Sequence, residues 1–443
     1  MKAIKTSWVV LLLGLSLLWL WADAPAWYAA QGVFAWRNEM LQYTGVLGIG
    51  VMSVAMVLAI RPVALEHRLQ GLDKMYRLHK WLGITGLVAA IAHWLWVEAP
   101  KWLVQAGWVA RPVRGPRPAP SADFAGFLQS QRGLAEGVGE WAFYAALVLI
   151  AIALVQYFPY RHFFKTHRWL AAVYLALVLH SVVLMRFAYW RTPLGVVMAG
   201  LMLCGTVAAV VSLFRRIGSR RKAVGVIDTL ETLDGVGVSA VTVQLQSAWP
   251  GHQAGQFAFV SFDAREGAHP YTISSDWKGD GQLQFLIKAL GDYTRTLAST
   301  LKPGGVVEVE GPYGRFNFEG SSRRQIWIGG GIGITPFVAR MKALAAHPDG
   351  RGVDLFHTTT DVDEVALQKL RDDARNAGVR LHILVDARDG LLTGERLRTA
   401  VPEWRSADVW FCGPTAFGHA IRHDLVSHGL PALNFHQELF AMR

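Results

Sequence analysis

Residues 79–93 read HKWLGITGLVAAIAH, two histidines closing a run of thirteen residues whose only charge is Lys80. On a helix, the separation from His79 to His93 leaves the imidazoles about 40° apart on one face and about 21 Å apart along the axis. An ionisable side chain inside a membrane span is costly and marks function. The surrounding chain shows that this run is a span. Apolar stretches also occur at 8–21, 40–60, 138–158, 167–186 and 193–214, with this one extending over 80–97, each near the roughly 20 residues that cross a bilayer. The first is the shortest. Lys2 and Lys5 ahead of it and Ala22-Asp23-Ala24 after it imitate a signal peptide, yet five later runs make an anchored first helix the expectation.

Composition agrees, since 52% of the 443 residues are hydrophobic, 18 are Trp and only 17% are charged, against about a quarter charged in soluble domains. The net charge of +11 is concentrated in loops: Arg61, Arg68, Lys74, Arg77 and Lys80; Arg161, Lys165 and Arg168; Arg215, Arg216, Arg220, Arg221 and Lys222. All would share the side of the N-terminus, which is therefore the cytoplasm by the positive-inside tendency. The opposite loop, 99–137, also carries Lys101, Arg111, Arg114, Arg117 and Arg132. Charge placed between spans points to membrane lipid and not to nucleic acid. The two cysteines, Cys204 and Cys412, lie in dissimilar surroundings, which argues against a disulfide framework or a cysteine zinc site.

The fifth apolar run adds His167 and His180. Each depth then has one imidazole from each of two spans, the ligand set of a bis-histidine haem iron. Thirteen residues on an ideal helix turn these two side chains about 140° apart, so some distortion of that span or a different approach angle is required. His162, eighteen residues before His180, would share its face, but it precedes the span in Tyr160-Arg161-His162-Phe163-Phe164.

After Lys222 the pattern changes to alternating runs such as Val241–Leu245 and Phe257–Ser261, broken by Gly and Pro, the signature of strands. From about residue 323, Gln325-Ile326-Trp327-Ile328 leads into Gly329-Gly330-Gly331-Ile332-Gly333-Ile334-Thr335-Pro336 and a helical stretch, with further apolar runs at 353–356, 380–385 and 408–411. A glycine cluster between strand and helix lets backbone approach a pyrophosphate at the helix N-terminus. Three motifs precede it and one follows: His269-Pro270-Tyr271-Thr272-Ile273-Ser274-Ser275, Gly291-Asp292-Tyr293-Thr294, Gly311-Pro312-Tyr313-Gly314, and Cys412-Gly413-Pro414. The first sets an aromatic, able to cover an isoalloxazine face, beside hydroxyls able to bond its N5 region. Taken singly each is an ordinary turn; their order is what carries the reading.

With these motifs the chain resembles the ferric reductase and NADPH oxidase superfamily, whose flavin half is similar to ferredoxin-NADP reductase. The resemblance implies a membrane all-α six-helix haem bundle (1–218), an antiparallel β-barrel FAD domain (219–322) and an α/β doubly wound NAD(P)-binding domain (323–443). It implies two haem b, with His79 and His167 on the inner iron and His93 and His180 on the outer, His167 being preferred to His162 for its family spacing. It places Tyr271 against the flavin, Thr272 near N5, and His269, Pro270, Ser274 and Ser275 around them. Gly291 and Thr294 become FAD pyrophosphate contacts, with Gly311 and Gly314 in the adjoining turn. Gly329, Gly330, Gly331, Gly333, Thr335 and Pro336, with Cys412, Gly413 and Pro414, become the NADH or NADPH site. Phe440 resembles the aromatic that covers the flavin where nicotinamide enters.

Departures also count. Val97 stands where the vertebrate oxidases carry a further histidine, His269 stands where soluble reductases carry Arg, and no EF-hand loop is present. Thr358-Thr359-Thr360-Asp361, without a nearby Arg, leans towards NADH. The expected activity is a transmembrane oxidoreductase of a bacterial plasma membrane, with its nucleotide half cytoplasmic. It would pass electrons from NAD(P)H to a ferric chelate or dioxygen outside, with Arg111, Arg114, Arg117, Arg186 or Arg191 attracting an anionic chelate. The rival expectations are a haem-free anchored flavin reductase and, ranked last, a proton-coupled transporter.

Overall fold

The computed structural model describes residues 2–111, 123–155, 158 and 160–438, so Arg114, Arg117 and Phe440 lie outside the described residues. The chain divides into two compact units between Ile217 and Gly218.

The first unit is helical: α1 (Lys2–Ala29), α2 (Gly32–Ala59), a short α3 (Val63–Leu69), α4 (Leu72–Gln105), a short α5 (Phe124–Ser130), α6 (Arg132–Leu154), α7 (Tyr160–His167), α8 (Trp169–Leu184) and α9 (Pro193–Leu213). Six segments are long and apolar enough to cross a membrane: α1, α2, α4, α6, α7 together with α8, and α9. Several outrun the apolar stretches that announce them. The third has 34 residues, because backbone groups stay paired within a helix where the hydrocarbon ends. α2 packs against α4 and α9, and α6 against α8. Trp19, Tyr174, Tyr189 and Met198 fill the space around Val46 and Met56.

The fifth span is not one regular helix. α7 ends at His167, α8 begins at Trp169, and Ala171 N–H bonds to the Arg168 carbonyl at 3.0 Å, a three-residue step. Arg168 itself keeps a near-helical backbone, with φ −61° and ψ −29°, so the step is slight.

Just after α8, Arg186 donates to Asp23 of α1 and to both carboxylate oxygens of Glu39 of α2, the latter at 2.6 Å. The two carboxylate side chains are only 4% and 7% exposed. Arg186 is thus committed to buried partners, and the expectation that it recruits an anion is corrected. Removing one partner of a buried pair strands the others and costs roughly 3 kcal/mol or more. Arg186→Met is expected to lower the melting temperature of the detergent-solubilised membrane unit well beyond the effect of Arg191→Met at the surface.

The second unit holds two sheets. β1 (Lys222–Leu233), β2 (Val238–Leu245), β3 (Phe257–Ser261), β4 (His269–Thr272), β5 (Gln282–Lys288) and β6 (Val306–Tyr313) form an antiparallel sheet in the order β4-β3-β6-β1-β2-β5, with α10 (Asp292–Thr300) after β5. The expected barrel is an open sheet: its two edges meet at a single bridge, Ile273 to Phe285. Val241, Val243, Phe285, Val307 and Val309 form its core.

The other sheet is parallel. β7 (Arg324–Gly330), α11 (Thr335–Ala346), β8 (Gly352–Thr359), α12 (Glu364–Asn376), β9 (Arg380–Val385), α13 (Asp386–Asp389), α14 (Gly394–Ala400), β10 (Asp408–Cys412), α15 (Thr415–Ser427) and β11 (Phe435–Gln437) follow in sequence. The strand order is β11-β10-β7-β8-β9. The chain reverses direction across the sheet between β7 and β10, and ligands of such sheets bind at the carboxyl ends of the strands at that point.

Candidate functional site

In the membrane unit, α4 and α8 with the end of α7 bring the histidines into two facing pairs. The His79 and His167 ring centres are 5.9 Å apart, and those of His93 and His180 are 6.2 Å apart. An imidazole nitrogen sits about 2 Å from a first-row metal ion, so two rings on opposite sides of one iron have centres about 6 Å apart. Both pairs fit that spacing.

Their outer nitrogens are also arranged. His79 Nδ1 donates to the Ala55 carbonyl at 2.9 Å and His180 Nδ1 to the Ala135 carbonyl at 2.8 Å. A carbonyl only accepts, so Nδ1 carries the proton and Nε2 presents its lone pair. That is how protein-held metal ligands are ordinarily oriented. His93 Nδ1 meets Thr44 Oγ1 at 3.1 Å. His162 is exposed and its ring neighbour is Phe158.

The room for His180 comes from a glycine. A Cβ on Gly139 would lie 1.9 Å from His180 Nδ1. Gly139→Val is therefore expected to displace His180 and halve the reduced haem absorbance per protein, measured by difference spectra; full absorbance would contradict the packing argument.

In the second unit, β4 carries His269, Pro270, Tyr271 and Thr272 and pairs with β3, with Thr272 opposite Phe257. The His269 ring stacks on Tyr293 at 4.8 Å, and burial pushes its pKa down to about 4, so the motif opens with a neutral imidazole. The Tyr293 hydroxyl and Trp249 indole N–H are buried without a partner among the described residues, an unmet demand for polar contact that fits a cofactor here.

Not every expected contact is available. Ser274 donates to the Gln284 carbonyl at 2.9 Å and so commits its proton to the sheet edge, while Ser275 accepts from Gln284 N–H at 3.1 Å and keeps its own proton to donate. Thr294 Oγ1 accepts from Leu290 and Gly291 N–H and donates to the Gly291 carbonyl. It caps α10, leaving an anion the backbone of that turn.

Beside this site, Arg315 N–H donates to Glu438 Oε1 at 2.6 Å. Gly314 approaches the same carboxylate, while Tyr313 pairs with Phe257. Glu438 ties the end of β11 to the turn after β6.

The nucleotide motifs converge at the sheet's switch point. Gly329 lies between Cys412 on β10 and His357 on β8, and Gly330 is beside Thr358. Thr335 Oγ1 donates to the Ile332 carbonyl at 2.7 Å, and Pro336 sits in the first turn of α11. Burial pushes the Cys412 thiol up, reinforced by the Glu438 charge, so it is a neutral thiol. His357 Nδ1 donates to the Gly329 carbonyl at 3.2 Å. A cavity of about 440 Å³ opens beside Gly331, His357, Thr359 and Asp361. Lys288 of β5 reaches Asp361 at 2.7 Å and holds its carboxyl below the usual range. That cation, from the other sheet, is a neighbour that sequence proximity does not reveal.

Two family models match the chain. The model described as "Ferric reductase like transmembrane component" matches residues 44–178, and that described as "FAD-binding domain" matches residues 231–317. The chain has the architecture of the ferric reductase and NADPH oxidase superfamily. It is 30% identical over 208 residues to a flavohemoprotein of Xylella fastidiosa, covering 43% of this chain and 51% of that protein. It is 28% identical over 196 residues to the toluate 1,2-dioxygenase electron transfer component of Pseudomonas putida, covering 42% and 58%. The chain thus spans about half the length of these curated relatives. A cytochrome P450 reductase of Amycolatopsis overlays with a TM-score of 0.45 at 23% identity, over 50% of this chain and 70% of that one.

The matched models thus describe a ferric-reductase-like transmembrane component followed by an FAD-binding domain, and six segments of the chain are long and apolar enough to cross a membrane. Glu438 and Lys288 are site neighbours that its motifs did not announce.

Proposed function

We propose that this protein carries electrons from NADH or NADPH on the cytoplasmic side of a bacterial plasma membrane, through FAD and two bis-histidine b-type haems, to a ferric chelate or dioxygen outside. The observation that supports this best is the doubled histidine pair, two depths on the same spans, each spaced for one iron. A membrane anchor has no use for it. When bound, FAD takes a hydride from nicotinamide and the haems relay its electrons singly.

The residues themselves hold and orient. His79 and His167 would hold the inner iron and His93 and His180 the outer, with Nε2 of His79, His93 and His180 aimed by what Nδ1 bonds. Because each histidine pair would be taken up in holding its haem, the acceptor would be met at the protein surface. Tyr271 would hold the flavin ring, Thr272 would bond its N5 region, and the Gly291 turn would receive the FAD pyrophosphate. Gly329 to Pro336 would take the nucleotide pyrophosphate and Cys412 to Pro414 the nicotinamide end, with Phe440 as the aromatic cover of the flavin. Basic loops on the N-terminal side support a cytoplasmic nucleotide module.

The test is steady-state NAD(P)H consumption by the purified protein with oxygen against ferric citrate, superoxide being trapped in parallel. Turnover with either acceptor, together with sharp reduced haem bands, is expected. NAD(P)H oxidation without such bands would make the protein an anchored flavin reductase.

A further inference from the structure

The four imidazoles are not held alike. His79 and His180 donate to backbone carbonyls of neighbouring helices, and His167 Nδ1 is buried with no hydrogen-bond partner among the described residues. The His93 ring has a backbone partner as well, Leu41, but it alone of the four also meets a side chain at Nδ1 among the described residues, the Thr44 hydroxyl at 3.1 Å. Thr44 sits buried in α2, and its own proton is given to the Met40 carbonyl at 2.6 Å. With that proton committed, Oγ1 is left as an acceptor, so Nδ1 of His93 carries the proton and Nε2 faces the iron position. Gly45, the next residue, lies against the same ring, a Cβ there falling at ordinary van der Waals distance, 3.7 Å, from His93 Cε1.

The height of Thr44 is fixed by further bonds. Gln42, half a turn earlier on α2, donates to the Leu184 carbonyl at 3.3 Å and accepts from Arg186 N–H at 3.0 Å. The end of α8, which carries His180, is thereby fastened to the helix that holds His93. One stretch of α2 thus holds both the Thr44 partner of His93 and the end of the helix that carries His180.

We infer that Thr44 is the positioning residue of the outer haem: its hydroxyl oxygen, held by Met40, orients His93 and strengthens it as an iron ligand. The inference rests on the haem reading above. A hydrogen bond from Nδ1 makes an imidazole a better donor to iron and favours the ferric state. Its loss weakens that donation and raises the potential of that haem alone. Partners of this kind ordinarily contribute about 10- to 100-fold to metal affinity.

The test is a spectroelectrochemical titration of the purified full-length protein, with haem counted per chain and the low-spin ferric signals recorded by electron paramagnetic resonance. Thr44→Val and Thr44→Ala remove the oxygen, one keeping the volume and one not; Thr44→Ser keeps it. In both oxygen-free variants one of two haem components is expected to move to higher potential, with its ferric signal shifted, or to be lost from the count. The other stays in place and Thr44→Ser resembles the wild type. Two haems whose titrations and signals are unchanged in the oxygen-free variants would overturn the role of Thr44 and leave the haem reading standing, as would a serine variant altered like the valine one. A wild-type protein without haem would overturn both.

Discussion

His93→Leu is expected to remove about half of the reduced low-spin haem absorbance, because an iron left with His180 alone has lost one of its two protein ligands. Leucine fills the apolar volume and presents no nitrogen. His93 faces His180 at 6.2 Å and no other histidine stands in that pair. The inner pair, His79 and His167, is a separate contact and keeps its absorbance. Electron delivery to an acceptor on the far side should fall to background, while NAD(P)H oxidation by a soluble dye that meets the flavin directly continues. A His93→Leu protein with unchanged spectra would remove His93 from the ligand set. The loss should exceed that of any surface substitution, since a chain of one-electron carriers stops at its missing member.

Gly333→Val is expected to have the opposite signature. A Cβ on Gly333 would lie 2.2 Å from the Cys412 carbonyl oxygen and 2.6 Å from its carbon. Those atoms belong to the backbone of a central strand and cannot swing aside as a side-chain end would. The turn after β7 must move away from β10 by about 1 Å or more, and a displacement of that size in a reactive geometry costs on the order of 100-fold. NAD(P)H oxidation, by dye or by any other acceptor, should fall by about that factor. Chemical reduction by dithionite should still give the full haem spectrum, because the histidine pairs lie in the other compact unit. The two variants together separate the halves: one loses far-side delivery and keeps dye reduction, the other loses nucleotide oxidation and keeps haem.

How much of this was legible follows from what each feature depends on. The six spans and the nucleotide turn are local, written as runs of apolar residues and as Gly329-Gly330-Gly331 after Gln325–Ile328, so the sequence carries them without tertiary information. The rotation of His167 against His180 is not local. It depends on how the span is placed against its neighbours, with a slight three-residue step at Arg168, and no residue type there announces either. Ser274 reads as a cofactor hydroxyl until the register with Gln284 commits its proton. Lys288 and Asp361 are 73 residues apart, and only the meeting of two sheets makes them neighbours. Thr44 is a lone hydroxyl in an apolar run and carries no pattern. The cluster of Asp23, Glu39 and Arg186 is different: carboxylates in or beside spans are as conspicuous as the histidines, and the rule that singled out the histidines applies to them equally.

The most direct measurement of the central claim uses the full-length protein in sealed proteoliposomes, with a ferric chelate trapped in the lumen and NADH or NADPH added outside. Reduction of the trapped iron, driven by nucleotide that reaches only outward-facing flavin modules and abolished by His93→Leu, is the predicted result. Oxidation of external nucleotide by an external dye while the trapped iron stays ferric would contradict it.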